Sequence, residues 1–204
     1  MSGTLYLCAT PIGNLEDITL RVLRTLQEVD VIAAEDTRNT IKLLNHFEIK
    51  TPMTSYHEYN KVDKAAYLVE QLANGKNIAL VTDAGTPAIS DPGEELVKQA
   101  YAAGIPVTSL PGACACVTAL TLSGLSTRRF AFEAFLPSDK KLRRKILDSL
   151  CTETRTVIIY EAPHKMKTTL GDLKEILKDR KIVLARELTK IHEEFIRKSI
   201  DELL

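Results

Sequence analysis

Short apolar runs rich in β-forming residues alternate with segments of helical periodicity along the whole chain. This alternation constrains the fold more than any other feature, because it predicts an α/β architecture with mostly parallel sheets. The predicted strands cover residues 5–9, 30–34, 78–82, 107–110, 130–135, 156–160 and 182–185. The predicted helices cover residues 19–28, 40–47, 61–73, 94–103, 113–123, 140–150 and 164–178.

Charge divides the chain into two unlike parts. Its 204 residues include 27 Lys and Arg and 27 Asp and Glu, so the formal net charge is zero. Residues 1–127 nevertheless hold 9 basic against 14 acidic side chains, and residues 128–204 hold 18 against 13. The sign changes at residues 123–127, which we interpret as a linker between an N-terminal α/β domain (1–122) and a C-terminal α/β domain (128–204). A basic second domain favours an anionic partner, although scattered charges are also typical of a solvated surface.

Composition and spacing argue against several classes of protein. No apolar run approaches the ~18–20 residues of a membrane-spanning helix, and the start of the chain lacks the pattern of a signal peptide. The four cysteines show no CxxC spacing and the four histidines no HExxH pattern, so no metal site is indicated. We therefore expect a soluble cytoplasmic protein with free thiols, no metal and no membrane partner.

The segment 83–93 (DAGTPAISDPG) follows a predicted buried strand and is the strongest functional signal. It holds two Gly, two Pro and two Asp. Glycine permits a positive φ and the close approach of a ligand, while proline fixes turns. The backbone of such a loop suits an adenosine edge or a carboxylate, and the alternative is a connection that binds nothing. Neither GxxxxGK[ST] nor GxGxxG occurs, which removes the usual support for nucleotide hydrolysis and hydride transfer.

Polar side chains follow other predicted strands. In residues 34–38 (AEDTR), Glu35, Asp36 and Arg38 either bind a polar substrate or form an ion-paired helix start with Asp36 or Thr37 near the N-cap. In residues 55–60 (SYHEYN), His57 is either a base or a polar surface residue. Residues 110–112 (LPG) precede a helix whose first N–H groups are open to an anion, and whose small residues also suit close packing.

Basic residues mark the second half. Residues 140–145 (KKLRRK) follow Arg128 and Arg129, and they either contact phosphates or form a solvated helix face. Residues 185–193 (ARELTKIHE) follow the last predicted strand and offer a Lys and a Glu for substrate ordering or base chemistry, or form an ordinary charged loop. Ser199 and Glu202 form a capping box, which predicts a helix start with few residues after it. We therefore expect the natural protein to continue and the second domain to be incomplete.

Taken together, these motifs resemble the tetrapyrrole methylase family, the class III methyltransferases that use S-adenosylmethionine (SAM). The resemblance is closest to the ribosomal RNA branch, the small-subunit 2′-O-ribose cytidine methyltransferases. It extends in order over nearly the whole chain, and it rests on residues 9–15, 34–38, 55–58, 82–93, 110–112, 129–137, 160–164 and 186–190.

The resemblance implies two α/β domains with SAM in the cleft between them, and a homodimer. It also implies 2′-O-methylation of a cytidine ribose in 16S ribosomal RNA, presented in the assembled 30S particle. By motif position, the cofactor-binding residues are Pro11, Asp83, Gly85, Thr86, Pro87, Ala88, Ile89, Cys114, Ala115, Glu161 and Ala162.

The chemistry of SAM suggests which further residues matter. Its sulfonium methyl is already activated, so the enzyme must align it with the ribose oxygen and assist the loss of a proton. The candidates for that catalytic role are Glu35, His57, Glu133 and Lys190, and the candidate substrate-binding residues are Arg38, Arg128, Arg129, Lys140, Arg143 and Arg144. Two alternatives stay open: a methyltransferase of a precorrin or another tetrapyrrole, and a non-catalytic fragment that binds SAM or RNA.

Overall fold

The computed structural model describes residues 1–177 and 180–204. They form two compact units, Met1–Cys114 and Ala115–Leu204. Lys178, the last residue of a predicted helix, lies outside the described residues. Within the described ranges, no helix is both long and apolar enough to cross a bilayer, and no three His, Cys, Asp or Glu side chains are grouped to hold a metal ion. The predicted domain limits at residues 122 and 128 stay predictions.

The first unit is built on a five-stranded sheet in the order β3-β2-β4-β1-β5. Every neighbouring pair is parallel, which confirms the α/β class predicted from the alternating pattern. Its elements are β1 (Leu5–Cys8), α1 (Leu20–Glu28), β2 (Val31–Ala34), α2 (Thr37–His46), β3 (Met53–Ser55), α3 (Lys61–Ala73), β4 (Ile78–Val81), α4 (Glu94–Ala102) and β5 (Val107–Leu110), with a 3-10 turn at Leu15–Asp17.

Both faces of this sheet are buried, which is why its strands read as apolar runs rather than as alternating patterns. In β4, Ile78 and Leu80 pack with apolar residues of α3 and α4. Ala79 and Val81 point to the opposite face and pack with residues of α1 and α2. Helices on both faces leave the carboxyl ends of the strands as the edge where parallel sheets bind ligands.

The second unit has two small sheets and its own core. Strands β6 and β7 are parallel, whereas β8 and β9 are antiparallel. Its elements are α5 (Ala115–Ser123), β6 (Phe130–Phe135), α6 (Lys140–Leu150), β7 (Thr156–Tyr160), a 3-10 turn (Pro163–Lys165), α7 (Met166–Leu177), β8 (Ile182–Arg186), β9 (Glu194–Lys198) and α8 (Ile200–Leu203). The core contains Leu136, Leu147, Leu150, Leu173, Ile176 and Ile200.

Most predicted elements lie within two residues of the observed ones, and the differences have local causes. Helix α2 begins at Thr37 rather than at residue 40, because an Asp36 carboxylate oxygen accepts the Arg38 N–H at 2.8 Å and caps the helix. Strand β3 was not predicted, because its three residues are too few to show a period. Strand β9 was not predicted, and its antiparallel pairing follows from a connection of seven residues after β8, too short for a parallel crossover. The capping box of Ser199 and Glu202 is confirmed at α8.

Candidate functional site

The loops after β1 and β4 are joined at the carboxyl edge of the first sheet. The N–H of Thr10 donates to the carbonyl of Gly85 at 2.9 Å, and the N–H of Gly85 donates back at 3.0 Å. The buried Thr10 hydroxyl also donates to the carbonyl of Thr82 at 3.3 Å. These bonds fix the start of the 83–93 loop against the β1 loop, which contains Pro11.

The same loop is held on its other side by the segment after β5. The Thr86 hydroxyl donates to the carbonyl of Ala113 at 2.9 Å. Gly85 has φ +87°, and a Cβ there would lie 3.3 Å from Cγ2 of Ile12 and 3.7 Å from the Ala113 carbonyl oxygen. Three loops therefore approach one another at a residue whose backbone conformation and surroundings both favour glycine.

Backbone strain is concentrated in segments that the sequence marked as functional. In the 83–93 loop, Ala88 and Ser90 have φ +68° and +65°. Left-handed conformations of non-glycine residues cost about 1–3 kcal/mol each and persist where the surroundings impose them. Two further cases, Glu187 at +53° and Thr189 at +66°, lie in the segment 185–193. Strain of this kind is typical of ligand-binding loops.

Two carboxyl groups, Glu35 beside the 83–93 loop and Asp91 within it, have raised pKa values. Glu35 follows β2, and its Oε2 accepts the N–H of Asp83 at 3.2 Å. Burial raises the pKa of Glu35, an effect that the Asp83 N–H and the nearby His57 oppose. Burial, together with repulsion from Glu35, raises the pKa of Asp91 to about 6. Asp91 was not among the predicted site residues, although its position in the 83–93 loop could have suggested it. Both carboxyls therefore accept a proton more readily than a solvated one.

Asp36 and Arg38 form an ion-paired helix start, which was one of the two interpretations of residues 34–38. The Arg38 Nη2 lies 2.6 Å from Oδ2 of Asp36. Hydrogen bonds from the Arg38 side chain and backbone lower the pKa of Asp36 to about 2. The side chain of Arg38 is 87% exposed, and a role in substrate binding stays a prediction.

His57 follows β3 at the same edge of the sheet. Its backbone N–H donates to Oδ1 of Asn60 at 2.8 Å, and its ring packs edge-on against that of Tyr59, with 6.1 Å between the ring centroids. The ring Nδ1 is buried and makes no hydrogen bond within the described part of the chain. The ring also acts electrostatically on the Glu35 carboxyl. The first unit thus brings two of the four catalytic candidates close together.

The other two catalytic candidates lie in the second unit. Glu133 belongs to β6, directly before Ala134, whose φ is +51°. Lys190 follows β8, and its Nζ lies 3.2 Å from Oε1 of Glu187. Of the predicted substrate-binding residues, Arg128 and Arg129 are exposed just before β6.

A hydrogen-bonded network joins the end of β7 to α6 and α7. Glu161 accepts the N–H of Ala162 at 2.8 Å and the hydroxyl of the buried Thr169. The guanidinium of Arg143 donates to the Thr169 hydroxyl at 2.7 Å and to Asp172 at 2.8 Å. A predicted cofactor-binding residue and a predicted substrate-binding residue are therefore linked through one threonine.

The expectation that the first N–H groups of the helix after residue 112 are all open is wrong in one position. The N–H of Cys116, in the first turn of α5, donates to the Tyr160 hydroxyl at 2.9 Å. Tyr160 ends β7, and its ring packs edge-on against Phe132 and Phe135 at 5.0 and 5.5 Å. The hydroxyl reaches the helix start because these rings hold the tyrosine in place.

Comparison with known proteins places the chain. Residues 4–204 match the Tetrapyrrole (Corrin/Porphyrin) Methylases. The chain belongs to the tetrapyrrole methylase family. It is 56% identical over 200 residues to the Ribosomal RNA small subunit methyltransferase I of Halalkalibacterium halodurans, covering 98% of this chain and 69% of the relative. The protein of the same name from Bacillus subtilis is 54% identical, with 99% and 69% covered. The predicted family resemblance is thus confirmed.

Solved structures of the same fold are similar at much lower identity. A diphthine synthase aligns with TM-score 0.77 and 15% identity over 98% of this chain and 84% of its own. Uroporphyrin-III C-methyl transferase from Thermus thermophilus, complexed with S-adenyl homocysteine, aligns with TM-score 0.67 and 19% identity over 98% and 90%. At such identities the similarity establishes the fold of this tetrapyrrole methylase family member.

The predicted site residues divide between the two units. The first unit holds Pro11, Glu35, Arg38, His57, Asp83, Gly85, Thr86, Pro87, Ala88, Ile89 and Cys114. The second holds Ala115, Arg128, Arg129, Glu133, Lys140, Arg143, Arg144, Glu161, Ala162 and Lys190. Their assignment to cofactor, substrate or catalysis stays a prediction.

Proposed function

We propose that this chain transfers the methyl group of SAM to the ribose 2′-oxygen of a cytidine in small-subunit ribosomal RNA. The proposal is carried by the 54% and 56% identity, over nearly the whole chain, to proteins named Ribosomal RNA small subunit methyltransferase I. Membership of the tetrapyrrole methylase family supports methyl transfer as the reaction and SAM as the donor.

In the first unit, the donor site comprises Pro11, residues 83–89 and Cys114. Three observations support this assignment: the paired Thr10 and Gly85 backbones, the Thr86 bond to the segment after β5, and the left-handed residue Ala88. Irregular backbone at a strand end has N–H and C=O groups outside a sheet ladder, which suit the adenosine and carboxylate of SAM. Bound SAM supplies an electrophilic methyl group, and the loop orients it.

Among the four catalytic candidates, we favour Glu35 as the group that assists removal of the ribose proton. Its pKa is raised by burial, which makes its carboxylate a stronger base than a solvated one. The Asp83 N–H orients the carboxylate through a bond of 3.2 Å. His57, which lies near enough to act on the same carboxyl, is then a positioning residue or an alternative base.

The RNA substrate and the family resemblance together suggest the setting of the reaction. We place this activity in the cytoplasm, with the assembled 30S particle as the substrate and a homodimer as the active form. Sedimentation of the purified chain tests the dimer. Comparison of intact 30S subunits with protein-free 16S RNA tests the need for the particle.

The decisive experiment measures transfer of radiolabel from SAM to isolated 30S subunits, with a precorrin as the competing acceptor. We expect label in the RNA, recovered after nuclease digestion as 2′-O-methylcytidine. Label in the precorrin alone would support the tetrapyrrole alternative. Binding of SAM by calorimetry without transfer to either acceptor would leave only a binding fragment.

The base assignment is tested with Glu35→Gln, which keeps an oxygen acceptor for the Asp83 N–H but cannot accept the proton. We expect kcat to fall about 100-fold, within the usual range for loss of a general base, with SAM affinity changed little. Glu70→Gln, an exposed carboxyl on α3, is the matched control. If Glu35→Gln retains kcat and His57→Gln loses it, His57 is the base instead.

A further inference from the structure

The second unit has an open cleft of about 490 Å³ between the segment after β6 and helices α6 and α7. Its lining combines apolar residues such as Leu147 and Ile176 with five basic side chains. They are Lys140, Arg143, Arg144, His164 and Lys165. Two acidic side chains, Asp172 and Glu175, share the lining, so the basic groups are in excess.

The two arginines of this cleft are already engaged. Nε of Arg143 lies 2.8 Å from Oδ2 of Asp172. Arg144 contacts Asp148 at 2.9 Å and Glu175 at 2.8 Å. The pairs with Asp172 and Glu175 join α6 to α7, and the pair with Asp148 lies within α6. Both guanidinium groups therefore already have carboxylate partners.

The two lysines are in a different situation. Within the described residues, neither Lys140 nor Lys165 has a carboxylate within 4.0 Å. The Nζ of Lys165 donates to the hydroxyl of Ser138 at 3.4 Å, so a lysine and a hydroxyl meet on one wall. The imidazole of His164 lines the same cleft. A pocket with two uncompensated ammonium groups, a hydroxyl and an imidazole has the donors that a phosphate requires.

We propose that this cleft binds a backbone phosphate of the RNA substrate through Lys140, Lys165 and Ser138. The inference rests on the proposed function, which names RNA as the substrate, and it adds the place where the RNA backbone is held. It assigns phosphate contact to the two lysines rather than to Arg143 and Arg144, whose guanidinium groups are already paired with carboxylates. Phosphate contacts position an RNA without reading its sequence, so the cleft contributes affinity and orientation.

The test compares two double variants with equal loss of charge. Lys140→Gln/Lys165→Gln removes both cleft lysines, and Lys167→Gln/Lys198→Gln removes two exposed lysines of the same unit that do not line the cleft. Affinity for 30S subunits and for 16S RNA is measured as a function of salt, and SAM affinity by calorimetry. Thermal melting of each variant establishes that it is folded.

For the cleft variant we expect about a tenfold loss of RNA affinity near physiological salt. The slope of log K against log salt should fall by about 0.7, because one phosphate of single-stranded RNA is no longer neutralised. The KM for RNA should rise while kcat and SAM affinity remain unchanged. The control variant should stay within about threefold of the parent protein. Ser138→Ala should give a smaller loss in the same direction.

Equal losses in both double variants would overturn the proposal, because they would show only a general effect of charge. Unchanged RNA affinity in the cleft variant would also overturn the proposal. Binding of polyglutamate is measured alongside, and its loss in that variant would assign the cleft to an acidic protein instead. The proposed function can fail separately. If the parent protein binds RNA through the cleft lysines but transfers no methyl group, the phosphate site is supported and the proposed methyltransferase activity is contradicted.

Discussion

The two units hold their candidate site residues by different means. In the first unit, the 83–93 loop is fixed by backbone bonds between Thr10 and Gly85, by the buried Thr10 hydroxyl and by left-handed residues. In the second, Glu161 is held by a chain of side chains that runs through Thr169 to Arg143. One site is shaped mainly by its main chain, and the other mainly by charged and polar side chains on two helices.

This difference decides how each unit responds to substitution and to pH. A main-chain site depends on glycines and turn residues, and is insensitive to the charge of distant side chains. A side-chain network instead fails when one member is removed, because the remaining buried polar groups lose their partners. The predictions below compare one unit with the other, or two positions of one unit.

The largest effect is expected from breaking the network of the second unit. Arg143→Met leaves the carboxylate of Asp172 unpaired and the hydroxyl of the buried Thr169 without its donor. We expect a loss of about 2–3 kcal/mol in the free energy of unfolding, since Arg143 is only 16% exposed in its side chain. Urea denaturation followed by circular dichroism gives the value.

Arg144→Met is the matched control for that prediction. The same helix, charge and substitution are involved, but the ion pairs of Arg144 are more than half exposed on both sides. Exposed pairs contribute about 0–1 kcal/mol. If the two variants lose the same stability, the network of Glu161, Thr169 and Arg143 contributes no more to the free energy of unfolding than exposed ion pairs do. The contrast between the two units is then wrong.

The first unit should respond to the main chain instead. Gly85→Ala places a Cβ 3.3 Å from Ile12 at a φ of +87°. Gly104→Ala meets nothing within 4 Å at a φ of +68°, so it introduces backbone strain alone. We expect SAM affinity, measured by calorimetry, to fall at least tenfold for Gly85→Ala and to remain unchanged for Gly104→Ala. Equal SAM affinity in the two variants would remove the 83–93 loop from the donor site.

The same division explains what the sequence could predict. Turn residues and buried strands are local signals, so the 83–93 loop, the parallel sheet and the capping box at Ser199 were all recognisable. The network of the second unit joins Arg143 to Asp172 over 29 positions, and Glu161 to Thr169 over eight. No local sequence pattern predicts these partners, because they depend on how α6 and α7 pack. Arg143 was therefore predicted either to contact a phosphate of the substrate or to lie on a solvated helix face, and its partners within the protein were not foreseen.

The smallest effect concerns Asp91, the half-buried carboxyl of the 83–93 loop. Burial raises its pKa to about 6, above the unfolded value of about 4. The folded state therefore binds this proton more tightly than the unfolded chain. The ionised carboxyl destabilises the fold, fully above pH 6, and the cost disappears as the pH falls towards 4.

Asp91→Asn should remove this cost. We expect the variant to be more stable than the parent by about 1–2 kcal/mol at pH 8, after allowance for solvent screening, and the advantage to vanish near pH 4. Asp36→Asn should show the opposite dependence of stability on pH. Arg38 lowers the pKa of Asp36 to about 2, so its contribution is present above pH 4 and is lost as the pH falls towards 2. Parallel pH profiles for the two variants would show that burial does not control Asp91, and that the loop is more open to water than its contacts indicate.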